Sequence, residues 1–283
     1  MKYVLYNPHS GIGACEEVAK KLSAESDCRI FNMTEISEYK DLFEELSSDD
    51  SILILGGDGT LNRFVNDVKG LDIPCKIYYL PTGSGNDFAK DVAPDSNGEA
   101  FEITKYLQDL PTVTVNGESH LFINGVGYGI DGYCCEVGDK LKAEGKKVDY
   151  TAIAIKGLLF AYKPTNATVI VDGVEHSFKK VWIAPTMKGR CYGGGMMPTP
   201  DQKRESDELS VMIFHGTGKI GTLMIFPSIF KGEHIKHKKA VTVLSGKRIT
   251  VKYDRPTPHQ IDGETVLGVS EYTAESANVF AKV

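Results

Sequence analysis

The sequence predicts an α/β plus all-β protein: an α/β domain with a parallel sheet, then an antiparallel, sandwich-like β domain with helical inserts. Three observations predict this class. The first third alternates strand and helix patterns, the remainder carries short strand patterns joined by tight-turn signals, and 283 residues are enough for two domains. We place the domains at residues 1–112 and 113–283, and we allow the C-terminal tail to pack back on the first domain.

The first domain is predicted from its alternation of apolar runs and helical spacings. Residues 51–55 (SILIL) form a continuous apolar run, which is typical of a strand buried on both faces. Further strands are predicted over 2–7, 28–32 and 76–80, and helical patterns over 14–23, 36–46 and 60–68. Such alternation indicates right-handed βαβ units, in which ligands bind beyond the carboxyl ends of the parallel strands.

The second domain is predicted from two hairpins and a series of short strands. Asn116-Gly117 and Asp172-Gly173 are turn signals flanked by strand patterns. Gly125, Gly127 and Gly129 alternate, as in a bulged strand packed closely against backbone. Further strands are predicted over 181–185, 209–214, 240–244, 248–253 and 259–261, with helical inserts over 150–162 and 217–226.

Composition excludes several classes of protein. The formal net charge of −6 argues against broad nucleic-acid binding, which needs a basic surface. The six cysteines form no CxxC pair, so we expect free thiols in a reducing cytoplasm. The N-terminus lacks a signal-peptide apolar run, and the longest apolar stretch, residues 151–162, is too short to span a bilayer. We therefore expect a protein that is soluble or lies on a membrane.

The strongest chemical signal is the loop Gly56-Gly57-Asp58-Gly59-Thr60, between the buried strand and an amphipathic helix. Its glycines let the backbone approach an anion, and the helix N-terminus would present N–H groups to that anion. Because Asp58 would repel a bare phosphate, the loop predicts Mg²⁺ on a nucleotide phosphate. The alternative is a glycine-rich turn that only reverses the chain.

Two more loops are predicted on the same edge of the sheet. Residues 81–89 (PTGSGNDFA) follow the strand over 76–80, and residues 7–11 (NPHSG) follow the first strand. Loops that meet at the carboxyl ends of parallel strands are typical of a nucleotide site. A dinucleotide GxGxxG motif is excluded, because Glu16 stands at its third glycine.

Four strings, GGDGTLN, PTGSGNDFA, GGGM and IDGE, occur in an order that resembles the diacylglycerol kinase catalytic-domain family. That family includes bacterial lipid kinases, sphingosine kinases and ceramide kinases, and the resemblance covers essentially the whole chain. GGDGT alone is shared with NAD kinases, whereas GSGNDFA resembles the lipid kinases. The resemblance implies an ATP-binding α/β domain and a lipid-substrate β-sandwich domain, with the reaction in the cleft between them. It implies transfer of the γ-phosphoryl group of ATP to a membrane lipid hydroxyl, with diacylglycerol favoured as the acceptor and phosphatidic acid as its product.

The resemblance also implies roles for individual residues. Glu264 matches the general base, with Asp262 beside it and Asp58 as the third catalytic residue; Asp58 and Asp207 match the metal network, with Mg²⁺ as the cofactor. The ATP site would be lined by Asn7, Pro8, His9, Ser10, Gly11, Thr34, Gly56, Gly57, Asp58, Gly59, Thr60, Leu61, Asn62 and Ser84.

Three departures from the family pattern keep other functions open. Arg63 stands where many members have Glu, Glu208 replaces a glycine, and the stretch over 200–207 is one residue longer than in relatives. One alternative is a kinase of NAD or of another small alcohol. The other is an inactive nucleotide-binding regulator.

Two basic segments, residues 140–147 and 231–239, each carry a net charge of +3. They are either solvated faces or a docking surface for an anionic membrane, to which each basic residue contributes about 1 kcal/mol. The apolar residues over 153–160 are either core or a membrane and acyl-chain contact. We expect a cytoplasmic protein, peripheral at the inner face of the membrane, with ATP and a membrane lipid as partners and no nucleic acid; a homodimer is kept open.

Overall fold

The chain forms two compact units, Met1–Gln108 and Asp109–Val283, in a computed structural model. The structure describes residues 1–10, 14–83, 85–146 and 148–277. Gly11, Ser84, Lys147 and the C-terminal tail from residue 278 lie outside the described residues, so the expectations about them stay predictions.

The first unit is built on a five-stranded sheet in the order β2-β1-β3-β4-β5. The first four strands are parallel, and β5 pairs antiparallel with β4 at the edge. All but the first residue of β3 are buried, as expected for a strand covered on both faces. The strands are β1 Lys2–Tyr6, β2 Cys28–Asn32, β3 Ser51–Gly56, β4 Lys76–Pro81 and β5 Phe101–Glu102.

Four helices accompany this sheet: α1 Ala14–Glu25, α2 Tyr39–Glu44, α3 Asp58–Asp67 and α4 Asp87–Val92. The helix α3 begins at Asp58, two residues before the predicted start, because Gly57 takes the extended N-cap conformation. Leu61, Phe64 and Val65 are its buried apolar face, at the spacing that predicted the helix.

The second unit contains one ten-stranded antiparallel sheet. Its main path runs β13-β12-β11-β8-β14-β15-β6-β7, and β9 joins β10 to β14. This arrangement and the parallel strands of the first unit confirm the predicted fold class. The strands are β6 Thr112–Val115, β7 Glu118–Leu121, β8 Gly125–Tyr128, β9 Thr165–Val171, β10 Val174–Val181, β11 Thr186–Met187, β12 Leu209–Phe214, β13 Val241–Gly246, β14 Arg248–Ile261 and β15 Glu264–Glu275.

Both predicted hairpins have the backbone conformation that their turn residues suggest. Asn116 and Gly117 have φ of 50° and 85°, and Asp172 and Gly173 have φ of 48° and 86°. Left-handed conformations at both central positions are the mark of a type I′ turn, which suits the twist of an antiparallel pair.

Two predicted strands differ in the structure. The strands expected over 248–253 and 259–261 are one strand, β14, whose pairing with β15 shifts register twice between Lys252 and His259. The strand expected over 181–185 is absent, since β10 ends at Val181 and Ile183 makes only isolated bridges. Pro185 has no N–H to donate to a ladder.

A long helix, α5 Ile130–Ala143, was not predicted. Its first turn contains Gly132, where a β-carbon would overlap the carbonyl oxygen of Pro258 on β14. The alternating glycines were correctly taken as a closely packed strand, but that strand ends at Tyr128. Glycine lowers helix propensity, so the pattern obscured a helix that packs tightly on the sheet.

The two helical inserts lie near the predicted positions. The first is α6 Tyr150–Lys156, extended by a π-helical turn over Gly157–Ala161. The second is α7 Lys219–Ile225, followed by 3₁₀ turns over Phe226–Lys231 and Glu233–Lys236. Both pack on an apolar cluster that includes Trp182.

All six cysteines are free thiols. Within the described residues, no helix is both long and apolar enough to cross a membrane.

Candidate active site

The glycine loops after β3 and β4 touch through their backbones. A β-carbon on Gly83 would lie 2.6 Å from the Cα of Gly57, and one on Gly57 would lie 3.2 Å from the Cα of Gly83. The amide of Thr82 also donates a 2.8 Å hydrogen bond to the carbonyl oxygen of Gly56. Only glycine permits this approach, so the excess of glycine here serves close contact.

The loop after β1 joins the same group. The Ser10 hydroxyl accepts a 3.0 Å hydrogen bond from the Gly57 amide, and Asn7 Nδ2 donates to Thr60 Oγ1 at 3.2 Å. The N-cap Gly57 has no side chain to cap α3. The first-turn N–H groups of a helix have no partner within the helix, which makes its N-terminus suited to an anion.

The other residues predicted to line the nucleotide site lie in varied surroundings. Leu61 and Asn62 are buried, and Leu61 belongs to the apolar face of α3, so its side chain is a core group. Thr34 is exposed and bonds Asn32 Oδ1 through both its amide and its hydroxyl. Pro8 is half-buried, while His9 and Gly59 are exposed on their loops.

Asp58 holds the start of α4. Its carboxylate oxygens accept 2.9 Å hydrogen bonds from the backbone amides of Asp87 and Phe88, the first two residues of that helix. The N-cap residue Asn86 makes no side-chain cap bond and has φ of 50°. Asp58 therefore supplies, from another loop, both the cap and the negative charge that a helix N-terminus favours.

Asp262 and Glu264 lie at the turn between β14 and β15. The Asp262 carboxylate accepts hydrogen bonds from the amides of Ile123, Asn124 and Gly125, at 2.6, 2.9 and 2.9 Å. These bonds tie the turn to the segment that enters β8. Glu264 is the first residue of β15 and is exposed, so a fixed turn presents its carboxylate to solvent.

Asp207 is held by a lysine. The Lys247 ammonium group donates to its carboxylate and lowers the pKa of Asp207. Nearby, the buried Lys188 donates a 2.8 Å hydrogen bond to the carbonyl oxygen of Ser206, and burial lowers the pKa of Lys188. One carboxylate oxygen of Asp207 and the carbonyl oxygen of Ser206 therefore each already have an ammonium partner. The metal role expected for Asp207 stays a prediction, and a cation bound there would compete with Lys247.

No group of three or more His, Cys, Asp or Glu side chains in the described ranges could hold a metal ion. Mg²⁺ commonly binds proteins through one or two carboxylates, the rest of its shell being water and substrate phosphates. Asp58, at the glycine loops, fits this pattern as a single carboxylate.

A buried acid that the sequence analysis missed lies under β8. Asp131, at the start of α5, accepts hydrogen bonds from the Gly132 amide at 2.9 Å and the Tyr192 hydroxyl at 3.1 Å. Burial is the main cause that raises the pKa of Asp131 to about 6, while these bonds oppose the shift. A strongly shifted acid marks a candidate functional residue. The only sequence signal was an acid directly after the alternating glycines.

We predict that Asp58→Asn destabilises the first unit. An asparagine offers one oxygen, and its NH₂ group would face a backbone N–H at the start of α4. The expected loss is about 2 kcal/mol in the free energy of unfolding, measured with urea. The matched control is Asp67→Asn on the same helix, which breaks only an exposed pair with Arg63 and should cost less than about 1 kcal/mol. Equal stabilities of the two variants would contradict the capping role.

We predict that Asp207 does not contribute to any change in thermal stability that magnesium causes. Without nucleotide, the thermal unfolding midpoints of the wild type and of Asp207→Asn should respond identically to added Mg²⁺ and to EDTA. Lys247 already satisfies the carboxylate. A magnesium-dependent rise in the wild type that Asp207→Asn lacks would contradict this prediction and support the metal role that the resemblance implies.

We predict that Asp131→Asn changes how stability depends on pH. Because the pKa of Asp131 is raised from 3.8 to about 6, its contribution is fully present below pH 3.8 and lost as pH rises through about 6. From pH 4 to 7 the variant should therefore gain about 2 kcal/mol relative to the wild type, measured by urea unfolding. The buried His259, whose pKa is lowered to about 3, acts in the opposite direction in both proteins and cancels in the difference. A difference that does not vary with pH would contradict the prediction.

Two family models match the chain in sequence order. The diacylglycerol kinase catalytic domain matches residues 2–114, which include all three loops. The YegS C-terminal NAD kinase beta sandwich-like domain matches residues 124–277, which is 154 of the 283 residues and more than half of the chain.

Individual relatives agree with these matches. A diacylglycerol kinase of Mycobacterium tuberculosis is 25% identical over 252 residues, 82% of this chain and 79% of the relative. A Staphylococcus aureus protein named as a lipid kinase is 29% identical over 280 residues, 93% of this chain and 88% of the relative. A crystal structure named as a diacylglycerol kinase from Bacillus anthracis str. Sterne shares the fold, with a TM-score of 0.62, 19% identity, and coverage of 97% of this chain and 93% of that one. By the model that covers more than half of it, the chain belongs to the family of the YegS C-terminal NAD kinase beta sandwich-like domain; its first part matches the diacylglycerol kinase catalytic domain, and the chain is an ATP-dependent kinase.

Proposed function

We propose that this kinase transfers the γ-phosphoryl group of ATP to the hydroxyl of a membrane lipid, with diacylglycerol as acceptor and phosphatidic acid as product. The observation that carries the proposal is the backbone contact between Gly57 and Gly83 at the N-terminus of α3. It brings two glycines together beside the start of α3, where the absence of β-carbons lets the phosphates of a nucleotide approach the backbone. The relatives named as diacylglycerol and lipid kinases support a lipid as the acceptor.

The loops of the first unit would bind and orient the nucleotide. The N-terminus of α3 would face its phosphates, and Ser10 and Asn7 would hold the conformation of the loops around it. Asp58 would hold Mg²⁺ that arrives on the nucleotide, through water or directly. Bound Mg²⁺ supplies neutralisation of phosphate charge. Asp58 would thereby couple the phosphate site to the start of α4.

Glu264 would handle the proton of the acceptor. The lipid hydroxyl oxygen forms a bond to the γ-phosphorus while the bond from that phosphorus to the bridging oxygen breaks. ADP leaves, and the hydroxyl proton passes to the Glu264 carboxylate. Because phosphoryl transfer has a largely dissociative transition state, a carboxylate of ordinary basicity is sufficient. The three bonds to Asp262 would keep the position of this carboxylate constant.

The departures from the family pattern do not alter the described loops. The guanidinium of Arg63 pairs with Asp67 at 3.4 Å on the exposed side of α3. Glu208 contributes backbone bonds, from its amide to Ser206 Oγ and from Gln202 Nε2 to its carbonyl oxygen, while its side chain is exposed. We therefore favour an active kinase over an inactive regulator, and we propose that it works at the cytoplasmic face of the membrane, where ATP and lipid meet.

A transfer assay with radiolabelled ATP separates the remaining functions. The purified protein would be given detergent micelles containing diacylglycerol, micelles containing sphingosine, or soluble NAD. We expect labelled phosphatidic acid from the first. Label on NAD alone would identify a soluble-alcohol kinase, and no transfer to any acceptor would support the regulator.

We predict that Glu264→Gln lowers kcat by about 10²–10⁴ with little change in ATP affinity. Glutamine keeps the size of the side chain but cannot accept a proton at neutral pH. The measurements are steady-state kinetics in micelles and nucleotide binding by calorimetry. Glu271→Gln on the same strand is the matched control, since Glu271 pairs with Lys252 at 2.9 Å, and it should retain normal turnover. An unchanged kcat in Glu264→Gln would remove the general-base role.

A further inference from the structure

Three large apolar side chains project from the second unit into solvent. Phe160 is 81% exposed, Ile220 76% and Met224 78%, and we name this set the apolar ridge. Ile220 and Met224 are one turn apart on α7, so they share a face. The Lys219 ammonium group donates a 2.6 Å hydrogen bond to the carbonyl oxygen of Leu159, which brings the start of α7 beside Phe160. The two helical inserts therefore lie side by side, and both contribute side chains to the ridge.

The backbone beneath the ridge is firmly held. Leu158, Thr222 and Ile229, on the opposite faces of these inserts, are buried. Trp182 packs in the same cluster, and its indole N–H donates a 3.0 Å hydrogen bond to the carbonyl oxygen of Thr217. The inner faces of both inserts are thus packed against the buried cluster around Trp182. The outer apolar side chains are left without cover, and a cluster of such groups usually marks an interaction surface.

Positive charge follows the ridge directly along the chain. Residues 231–239 carry four lysines, two histidines and one glutamate. Lys236 pairs with Glu233 at 2.7 Å, whereas Lys231, Lys238 and Lys239 have no carboxylate within salt-bridge distance among the described residues. This segment begins where the second insert ends.

The other basic segment is largely neutralised. Lys140 pairs with Glu136 at 2.6 Å, and Lys142 and Lys146 pair with Asp139 and Glu144 at 3.4 and 2.6 Å. Counting these acids removes most of the net charge that the sequence suggested for residues 140–147. The two segments, which look alike in the sequence, therefore differ in the charge they offer a partner.

We propose that the apolar ridge and the basic segment 231–239 together dock the protein on an anionic lipid bilayer, a proposal that rests on the proposed function. The apolar side chains would enter the acyl boundary while the lysines meet anionic head groups, as in interfacial helices. The chain carries −6 in all and this segment +3, so the remaining residues carry −9 and are repelled by the same surface. That asymmetry favours one orientation, with the ridge toward the lipid.

Vesicle sedimentation tests the docking surface. The wild type should bind vesicles of phosphatidylcholine mixed with phosphatidylglycerol, bind pure phosphatidylcholine weakly, and lose binding as salt rises. Ile220→Glu and Met224→Glu should each weaken binding at least about tenfold, because a charge replaces an apolar group at the acyl boundary. Lys238→Gln combined with Lys239→Gln should weaken binding to anionic vesicles by roughly tenfold or more.

Val174→Glu is the matched control. Val174 is 60% exposed at the tip of the β9–β10 hairpin, outside the ridge, and this substitution should leave vesicle binding unchanged. Thermal unfolding of every variant checks that the fold is intact, which is expected for positions this exposed. Equal vesicle binding by the wild type, Ile220→Glu and Met224→Glu would overturn the proposal.

A tryptophan placed in the ridge reports insertion. The sequence has one tryptophan, Trp182, which is buried, so Phe160→Trp adds a single exposed fluorophore. Brominated acyl chains in anionic vesicles should quench the added emission. Binding without quenching would overturn insertion, and loss of a dimer in Ile220→Glu by sedimentation velocity, with vesicle binding unchanged, would assign the ridge to a second copy.

Activity measurements distinguish failure of docking from failure of the proposed function. Ile220→Glu should lose activity on diacylglycerol embedded in anionic vesicles but keep it on a short-chain diacylglycerol dispersed in detergent. Equal loss on both substrates would overturn the docking role. A wild type that phosphorylates neither substrate would overturn the proposed function itself, whatever its vesicle binding.

Discussion

The backbone contact between Gly57 and Gly83 is the constraint on which the first unit's loops depend. Two parallel strands end side by side, and their loops come closer than any side chain would allow. That closeness lets the Asp58 carboxylate reach the first amides of α4 and lets Ser10 meet the Gly57 amide. A β-carbon at either glycine would separate the loops and break these bonds together. The same contact places two residues without β-carbons at the start of α3, where the proposed phosphate site lies.

Two Asp-Gly turns of the second unit are stabilised in the same way. Asp172 and Asp262 both take left-handed conformations, and the carboxylate of each accepts amide hydrogen bonds from a neighbouring chain segment. As local structures the two turns are nearly alike. Val174 occupies in the first turn the position that Glu264 occupies in the second, and turn chemistry alone gives neither position a catalytic role. The resemblance to lipid kinases selected Glu264, and the structure explains how Asp262 fixes its backbone.

The sequence predicts well those structural features that depend on residues close together in the chain. The buried run of β3, the apolar face of α3 and both type I′ hairpins depend on residues a few positions apart, and each is present as expected. The partners of charged groups depend on folding. Lys247 reaches Asp207 across 40 positions, and Tyr192 reaches Asp131 across 61. Neither pairing leaves a periodic pattern in the sequence, so the sequence predicted neither the lysine partner of Asp207 nor the burial of Asp131. The helix α5 was missed for a related reason, because its glycine meets a distant strand.

The proposed roles of Glu264 and of the apolar ridge rest on one physical arrangement. In both, an exposed side chain is carried by a backbone segment that neighbouring residues hold in place by hydrogen bonds or packing. Exposure of Phe160 or Ile220 forgoes the stabilisation that burial would bring, about 1.5–3 kcal/mol for each large apolar group. A domain can tolerate this lost stabilisation only where other contacts stabilise the same segment. Beneath the ridge, the buried cluster around Trp182 supplies those contacts. At Glu264 the bonds to Asp262 do the same for a charged group. Since neither side chain contributes packing to the fold, substitutions there can change binding or turnover with little effect on stability, which separates function from folding at both sites.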